Sequence, residues 1–306
     1  MLKQKHLLKL LDYSPAEIEE ILNLADQLKY EQKNGIPHSV ARGKTLAMIF
    51  EKSSTRTRVS FEAGIFQLGG HGIFLSSESS QMGRGEPIAD TARTLSRYCD
   101  IIMIRTYGHE IAEELAKHSE IPVINGLTDR YHPCQALADL MTIREYKTTL
   151  KGLKLCYIGD GNNMANSLIV GGLKCGMDVS VACPLGYDPH EEVLAFAKTV
   201  TDASFSLHRK PEDAAKDADV VITDAWASMG HEEEAEARKK AFAGYQINSQ
   251  LMAHTATGCM VQHCLPAKKG QEITEEVFEQ HAREIFDEAE NRLHVQKAIM
   301  AMLMMK

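Results

Sequence analysis

The 306-residue sequence lacks long apolar runs, paired cysteine motifs and an excess of positive charge. No stretch approaches the ~18 consecutive apolar residues that indicate a membrane-spanning helix, so we expect none. The seven cysteines are odd in number and no two are spaced as C-x-x-C, which argues against a disulfide framework or a structural zinc site. With 34 basic and 42 acidic residues the net charge is −8, so we do not expect a nucleic-acid-binding protein, because phosphate backbones favour basic surfaces.

The N-terminal segment is not typical of a targeting sequence. Its apolar residues are interrupted by His6, Lys9 and Asp12, unlike the apolar centre of a signal peptide. The first arginine is Arg42, whereas a mitochondrial transit peptide is rich in arginine. We therefore expect a cytoplasmic protein. Hydrophobic residues make up 44% and charged residues 25%, which is typical of a globular protein, and the length suggests two domains.

Short apolar runs alternate with amphipathic segments along the chain. The runs predicted as strands are 45–50, 101–104, 122–126, 153–158, 179–183, 220–223 and 260–264. Strands alternating with helices predict an α/β fold of parallel sheets flanked by helices. We predict two such domains, one of residues 1–148 completed by a C-terminal helix over 285–306, the other of residues 149–284. Two interdomain helices, the C-terminal one and one over about 133–146, would join them.

Polar residues cluster directly after these predicted strands, at the end where open α/β sheets bind ligands. The strongest pattern is Ser54-Thr55-Arg56-Thr57-Arg58, which follows a strand and opens a helix. A helix N-terminus presents backbone N–H groups and a positive partial charge, and the hydroxyl and guanidinium groups add donors. The segment therefore predicts an anion site, with an ordinary helix cap and solvated arginines as the alternative.

Three further segments follow the same pattern, and each leaves a structural alternative open. Segment 132–135 (His-Pro-Cys-Gln) begins a helix, so His132 and Gln135 could face a ligand or simply cap the helix. Segment 263–266 (His-Cys-Leu-Pro) ends a strand, and its thiol could be reactive or buried and inert. Asp224 also follows a strand, where it could bind an ammonium group or belong to a structural turn.

A glycine-containing loop after one predicted strand suggests dinucleotide binding only at first sight. Segment 159–161 (Gly-Asp-Gly) matches the beginning of G-x-G-x-x-G, but Met164 occupies the position of the third glycine, so NAD is not expected. We interpret the asparagines at 162–163 as contacts to a small ligand or as turn residues. Arg105 and Arg292 stand alone in the sequence, where an arginine is ordinarily a solvated surface charge.

Taken together, these motifs resemble the aspartate/ornithine carbamoyltransferase family, in that family's order and over residues 50–294. Segment 50–57 (Phe-Glu-Lys-Ser-Ser-Thr-Arg-Thr) matches its carbamoyl-phosphate signature. Segments 132–135 and 263–266 resemble the ornithine branch, and 224–230 (Asp-Ala-Trp-Ala-Ser-Met-Gly) is similar to its ornithine-binding loop. The resemblance implies transfer of the carbamoyl group of carbamoyl phosphate to the side-chain amine of L-ornithine. The products would be L-citrulline and phosphate, and the reaction belongs to arginine metabolism and amino-acid biosynthesis.

The resemblance also implies the roles of individual residues. Those implied in binding carbamoyl phosphate are Ser54, Thr55, Arg56, Thr57, Gln81, Arg105, His132, Gln135, Leu265 and Arg292. Within this set Thr57, Arg105 and His132 would polarise the carbonyl oxygen, while Gln135 and the Leu265 backbone would hold the carbamoyl NH₂. Those implied in binding ornithine are Asn163, Asp224, Ser228 and Met229. Cys264 would lie beside the attacking amine, and the implied catalytic residues are Thr57, Arg105, His132 and Cys264.

The resemblance further implies a homotrimer with shared active sites, in which Gln81 is donated by a neighbouring subunit. The leaving phosphate can take the proton of the attacking amine, so no dedicated protein base is required, and no metal or organic cofactor is expected. One position departs from the family pattern, since Pro87 follows Glu86 where many relatives carry a hydroxyl residue. A carbamoyltransferase for another amine, such as putrescine, and a non-catalytic anion sensor remain as alternatives. Putrescine lacks the carboxylate and α-amine that segment 228–230 would bind.

Overall fold

The chain forms two compact units, described separately below. The structure is a computed structural model that describes residues 2–76, 83, 85–226 and 235–305. The first unit comprises Met1–Met141 and Asn291–Lys306, and the second comprises Thr142–Glu290. The predicted boundaries lay at 148 and 285. The observed divisions lie at 141/142 and 290/291, inside two helices, so each of these helices contributes residues to both units.

Both units are built on a parallel sheet. The strands described in the first unit are β1 (Thr45–Phe50), β2 (His71–Ser76), β3 (Ile101–Arg105) and β4 (Val123–Leu127). They pair in the order β2-β1-β3-β4. Those of the second unit are β5 (Lys154–Ile158), β6 (Asp178–Ala182), β7 (Phe205–His208), β8 (Val220–Thr223) and β9 (Met260–His263). Their order is β7-β6-β5-β8-β9. The predicted fold class, parallel sheets flanked by helices, is confirmed.

Helices connect the strands in both units. The helices of the first half are α1 (Pro15–Lys33), α2 (Thr55–Gln67), α3 (Ile88–Tyr98), α4 (His109–His118) and α5 (Pro133–Lys147). Those that follow are α6 (Asn163–Lys174), α7 (Glu191–Ala197), α8 (Pro211–Ala215), α9 (Ala235–Ala241), α10 (Ser249–Met252), α11 (Glu275–Gln280) and α12 (Ala282–Met304). In the described part of the chain, none is both long and apolar enough to cross a membrane. The divisions between the units fall within α5 and α12.

Local sequence explains where these elements begin. Ser14 caps α1 by accepting the Glu17 N–H at 3.3 Å, and the Glu17 carboxylate accepts the Ser14 N–H at 2.9 Å. Pro15 at the first helical position completes this capping box, an arrangement that stabilises a helix end by about 1 kcal/mol. Pro87, the position that departs from the family pattern, stands at the cap of α3.

Each sheet has one point where the chain leaves in opposite directions, between β1 and β3 in the first and between β5 and β8 in the second. Phe50 and Arg105 are neighbours at the carboxyl end of the first pair, and Ile158 and Thr223 are neighbours at that of the second. Ligands of open α/β sheets bind at such switch points. The loops that follow these strands carry the predicted site residues.

Candidate active site

The α2 N-terminus, after β1, presents the first predicted cluster. Ser54 is the cap residue, and its Oγ accepts the N–H of Thr57 at 3.2 Å and donates to Thr57 Oγ1 at 3.1 Å. Thr55 and Arg56 occupy the first turn, where backbone N–H groups are not used within the helix. A cavity of about 270 Å³ beside this terminus is lined in part by Ser54 and Thr55. The arrangement presents hydrogen-bond donors and a positive helix end to an anion.

Two arginines that are distant in sequence converge on Thr57, whose side chain is fully buried. Arg292 on α12 donates from Nη2 to Thr57 Oγ1 at 2.9 Å, and Arg105 at the end of β3 donates from Nη1 to the same oxygen at 3.4 Å. Both arginines are at least nine-tenths buried, whereas an isolated arginine in a sequence is ordinarily a solvated surface charge. Their burial requires an anionic partner or hydrogen bonds, and their convergence makes Thr57 the centre of this cluster.

His132 lies at the start of α5, immediately before Pro133, and its carbonyl accepts the Ala136 N–H at 3.2 Å. Its side chain is 5% exposed. Burial, and after it the nearby charges of Arg292, Arg105 and Arg56, hold the pKa of His132 well below its usual range. The imidazole is therefore neutral at neutral pH, and it shares its surroundings with three guanidinium groups.

Gln135, one turn into α5, is oriented by a residue that the sequence analysis did not identify. Its Nε2 donates to Asp139 Oδ1 at 2.8 Å, and both side chains are buried. Because the amide nitrogen donates to Asp139, this hydrogen bond fixes the orientation of the Gln135 amide. Asp139 follows Gln135 at the i+4 spacing that places two side chains on one helix face.

In the second unit the predicted residues gather around Asp224, which follows β8. Its Oδ1 accepts the Cys264 thiol at 3.0 Å and the N–H of Ala225 at 2.7 Å. Its Oδ2 accepts Asn162 Nδ2 at 3.1 Å. Both Asp224 and Cys264 are partly exposed, so this carboxylate and thiol are accessible while being held by neighbours. The centre of the second cluster is thus an acceptor with negative charge.

Asn162 and Asn163 have different positions at the beginning of α6. Asn162 caps the helix, and its Oδ1 accepts the N–H groups of Met164 and Ala165 at 2.9 and 3.2 Å. The Tyr157 hydroxyl donates to the same oxygen at 3.2 Å. Asn163 is the first residue of the helix. Asn162 therefore connects the cap of α6 to Asp224. From the sequence, its role was left open between a ligand contact and a turn residue.

The segment after β9 is held by a buried pair of side chains. His263 Nε2 lies 3.1 Å from Glu272 Oε1, with both side chains fully buried. His263 Nδ1 accepts the N–H of Leu265 at 2.9 Å, so Nε2 carries the proton and donates to Glu272. Leu265 has a positive φ of 56° and is joined to Pro266 by a cis peptide bond. The hydrogen bond from the Leu265 N–H to His263 therefore ties this backbone turn to the buried His263–Glu272 pair.

A further contact joins the loops of the second unit. Arg238 on α9 is 8% exposed and donates to the Trp226 carbonyl at 3.0 Å and to Asp160 Oδ2 at 2.5 Å. Asp160 lies in the loop that leads to Asn162, and Trp226 follows Asp224 by two residues. This ion pair therefore ties together the two loops that carry the second cluster, and the sequence analysis did not identify it.

The structure thus brings the predicted residues together in two groups. Thr57, Arg105, His132 and Arg292 share the first unit with Ser54, Thr55, Arg56 and Gln135. Asn163, Asp224, Cys264 and Leu265 share the second. Gln81, Ser228 and Met229 lie outside the described residues. The side chains that sequence reasoning missed or left open act on their neighbours through caps and i+4 spacings, which are visible in a sequence only once the helix boundaries are known.

Neither group has the composition of a metal centre. Among residues 2–76, 83, 85–226 and 235–305, no cluster of three or more His, Cys, Asp or Glu side chains could hold a metal ion. The seven cysteines are free thiols. Burial raises the pKa of Cys134 to about 12, so this thiol is protonated at neutral pH although it lies in a predicted site segment.

Two parallel α/β units, one with an arginine-rich cluster and the other with a carboxylate-centred cluster at a switch point, define a protein that presents opposite charges to small-molecule ligands. The carbamoyl-P binding domain of aspartate/ornithine carbamoyltransferase matches residues 5–145, and the Asp/Orn binding domain matches residues 151–303. The chain belongs to the aspartate/ornithine carbamoyltransferase family.

Individual relatives are similar over nearly the whole chain. The ornithine carbamoyltransferase of Geobacter sulfurreducens is 54% identical over 300 residues, which cover 98% of this chain and 99% of that protein. The ornithine carbamoyltransferase of Pyrococcus abyssi is 54% identical over 306 residues, which cover 99% of this chain and 96% of that protein. The solved structure of the Pyrococcus furiosus ornithine carbamoyltransferase has a TM-score of 0.93 and 52% identity, covering 97% of this chain and 96% of that one.

Proposed function

We propose that this protein transfers the carbamoyl group of carbamoyl phosphate to the side-chain amine of L-ornithine, giving L-citrulline and phosphate. The observation that carries the proposal is the convergence of Arg105 and Arg292 on Thr57, at the helix end that the carbamoyl-phosphate signature forms. The 54% identity to curated ornithine carbamoyltransferases over 98% of the chain supports ornithine as the acceptor.

Carbamoyl phosphate would bind at the first cluster. Its phosphate is a dianion, which suits a helix N-terminus with hydroxyl donors and planar guanidinium groups. Ser54, Thr55, Arg56 and Thr57 would hold the phosphate, and Arg292 would complete the site. The carbamoyl NH₂ is a donor, and the family resemblance assigns it to Gln135 and to the Leu265 backbone.

The carbonyl oxygen becomes negatively charged when the amine attacks the carbonyl carbon. Thr57, Arg105 and His132 would donate to that oxygen, and preorganised donors of this kind contribute roughly 3–4 kcal/mol each. Because His132 is neutral, its ring N–H would donate a hydrogen bond without adding a charge, while Arg105 supplies the positive charge.

Ornithine would bind at the second cluster. Asp224 provides the negative charge that an ammonium group requires, and Asn163 provides an amide at the helix end for the carboxylate. Ser228 and Met229 are assigned to the same substrate by the family resemblance. Cys264, which donates to Asp224, would lie beside the δ-amine. The attacking amine must be neutral, and its N–C bond forms as the C–O bond to phosphate breaks. The proton that the amine loses goes to the leaving phosphate.

The homotrimer with shared active sites is part of this proposal, with Gln81 contributed by a neighbouring subunit. Its support on this chain is an apolar surface around α2 and β2. Val59 and Phe66 are 56% and 77% exposed and stand seven residues apart on one helix face, and Phe74 on the edge strand is 36% exposed. Exposed apolar patches of this kind mark protein interfaces. Light scattering tests this assembly by measuring the molecular mass in solution. We also propose that the enzyme is cytoplasmic.

The direct test of the proposal is citrulline formation by the purified protein from carbamoyl phosphate and L-ornithine. We expect turnover with ornithine and none with putrescine or aspartate at equal concentration. Product from putrescine but not from ornithine would overturn the assignment of the acceptor and keep the reaction class. The Arg56→Ala variant tests whether the anion cluster serves turnover, and we expect it to lose citrulline formation while retaining its fold. Binding of carbamoyl phosphate by the wild-type protein without any citrulline formation would favour the anion sensor.

A further inference from the structure

Gly64 lies in the interior of α2, where glycine lowers helix stability relative to alanine. A Cβ atom built at this position would lie 3.1 Å from Met300 Cε, 3.3 Å from Lys297 Cγ and 3.6 Å from Leu293 Cδ1, all on α12. The first two distances are shorter than ordinary van der Waals contacts. The missing side chain therefore permits the close approach of α12 to α2.

This close contact lies near the pair of residues that form the anion cluster. Thr57 precedes Gly64 by seven residues, about two helical turns, so both face the same side of α2. On α12, Arg292 stands next to Leu293, which contacts the Gly64 position. The 2.9 Å hydrogen bond from Arg292 to Thr57 thus joins the same two helices that Gly64 allows to approach. A change in their separation at Gly64 alters the length of that hydrogen bond.

Contacts with α1 and with the chain that follows α1 also hold α12 in place. Lys29 Nζ donates to Asn291 Oδ1 at 2.7 Å, directly beside Arg292 in the sequence. Lys297, whose Cγ is near the Gly64 position, is fully buried, and its Nζ lies 3.1 Å from His38 Nε2 and donates to the Leu28 carbonyl at 3.4 Å. Because these contacts hold α12, it cannot relieve crowding at Gly64 by moving away without disturbing them.

We propose that Gly64 is a positioning residue for carbamoyl phosphate, because it sets the spacing of α2 and α12 at which Arg292 reaches Thr57. The proposal rests on the proposed function, in which Thr57 and Arg292 bind this substrate. Gly64 itself touches no substrate. Its role is exerted through the guanidinium of Arg292, so its loss changes binding of carbamoyl phosphate rather than binding of ornithine.

The test is a steady-state comparison of Gly64→Ala with the wild type, in which KM is measured for each substrate at saturation with the other. We expect KM for carbamoyl phosphate to rise about fivefold or more, as for a weakened charge-assisted hydrogen bond, and KM for ornithine to stay within about twofold. Adding Met300→Ala, which removes the 3.1 Å contact, should return KM for carbamoyl phosphate toward the wild-type value. A merely structural role predicts neither the split between the two KM values nor this rescue.

Gly172→Ala on α6 is the matched control, because its new Cβ would lie 2.8 Å from Val179 Cγ2 in the second unit. It should lower the melting temperature and leave KM for carbamoyl phosphate unchanged. If Gly64→Ala does not fold, Met300→Phe crowds the same contact from α12 and should raise the same KM.

An unchanged KM for carbamoyl phosphate in folded Gly64→Ala, or in Met300→Phe where Gly64→Ala does not fold, would overturn the inference. An equal rise in the KM values for both substrates would also overturn it. Absence of turnover in the wild-type protein would overturn the proposed function instead, so the two failures are distinguishable.

Discussion

The two clusters occupy equivalent places in their sheets but present opposite chemistry. In the first unit, donors from Arg105 and Arg292 converge on the Thr57 oxygen. In the second, Asp224 accepts hydrogen bonds from Cys264 and Asn162. One switch point therefore suits a phosphate and the other suits an ammonium group. The same parallel fold thus presents opposite charges through the residues that follow a few strands.

The two clusters also differ in how their central residues are held. Arg105 and Arg292 are almost fully buried, and Arg292 reaches Thr57 from a helix 235 residues further along the chain. Asp224 is partly exposed and accepts hydrogen bonds from the adjacent Ala225 N–H and from Asn162 and Cys264, which are 62 and 40 residues away in the sequence. We expect substitutions in the first cluster to have larger effects, because a buried charge acts on a ligand through less solvent screening than a partly exposed one.

The largest expected effect is that of Arg105→Met. It removes a buried guanidinium that would stabilise both the substrate and the developing negative charge, so kcat/KM for carbamoyl phosphate should fall by about 10³-fold. Arg97→Met is the matched control in the same unit, since Arg97 on α3 is exposed and pairs with Glu120 at 3.2 Å. Initial-rate citrulline assays measure both variants. A loss of less than tenfold for Arg105→Met would contradict the donor role of the first cluster.

Asp224→Asn should have the next largest effect and should act on the other substrate. The amide keeps the shape but removes the negative charge, so KM for ornithine should rise by about 10²-fold. KM for carbamoyl phosphate should stay close to that of the wild type. Asp202→Asn, in an exposed loop of the same unit, provides the control. If Asp224→Asn changed the two KM values equally, the separation of the substrates between the clusters would be wrong.

The ionisation of His132 probes the positive environment of the first cluster. Because its folded pKa is lowered, the unfolded chain binds more protons as the pH falls below about 6.5, and this histidine then disfavours the folded state. By NMR, its ring signals should not titrate between pH 6 and 8. Arg292→Gln removes one of the charges that lower this pKa, so the titration should move to higher pH. Burial also lowers this pKa, so the comparison of the two proteins isolates the charge, and an unchanged titration in Arg292→Gln would show that Arg292 does not act on His132.

Replacement of Cys264 should have a smaller effect, because a thiol is a weak donor. Cys264→Ala should raise KM for ornithine about three- to tenfold, while Cys264→Ser, which keeps a donor for Asp224, should remain closer to the wild type. Cys175→Ser is the control, as this partly exposed thiol lies at the end of α6. Complete loss of turnover in Cys264→Ser would assign the sulfur a chemical role rather than a positioning one.

Tyr157→Phe should have the smallest effect. The hydroxyl donates to Asn162 Oδ1, which also accepts two backbone N–H groups, so its loss weakens the cap without removing it. We expect KM for ornithine to rise about twofold, with KM for carbamoyl phosphate unchanged. Steady-state kinetics measures both. A larger effect on carbamoyl phosphate than on ornithine would contradict the assignment of this side chain to the second cluster.

The sequence predicted the central strands well because they are buried on both faces. β1 and β3 are continuous apolar runs, as strands covered by helices on both sides must be. The edge strands β2 and β7 were not predicted. Both are only partly buried, and β2 follows two glycines and contains Gly72, so neither shows a long apolar run. Edge strands of this kind are specified by pairing with a neighbour rather than by their own composition.

The site was predicted in a similarly uneven way. The local motifs around Ser54 and His132 are visible in the sequence because a strand, a polar segment and a helix follow one another. The contact of Arg292 with Thr57 spans 235 residues, and no local pattern indicates it, so only the family resemblance assigned it. Likewise, the contact of Arg238 with Asp160 depends on the fold bringing separate loops together.

The central claim is that each substrate is bound by its own cluster, and crossed kinetics of Arg105→Met and Asp224→Asn test it most directly. Citrulline formation is measured for both variants while one substrate is varied at saturation with the other. We predict that Arg105→Met raises KM for carbamoyl phosphate at least tenfold more than KM for ornithine, and that Asp224→Asn does the reverse. Equal changes in both KM values for both variants would contradict the claim.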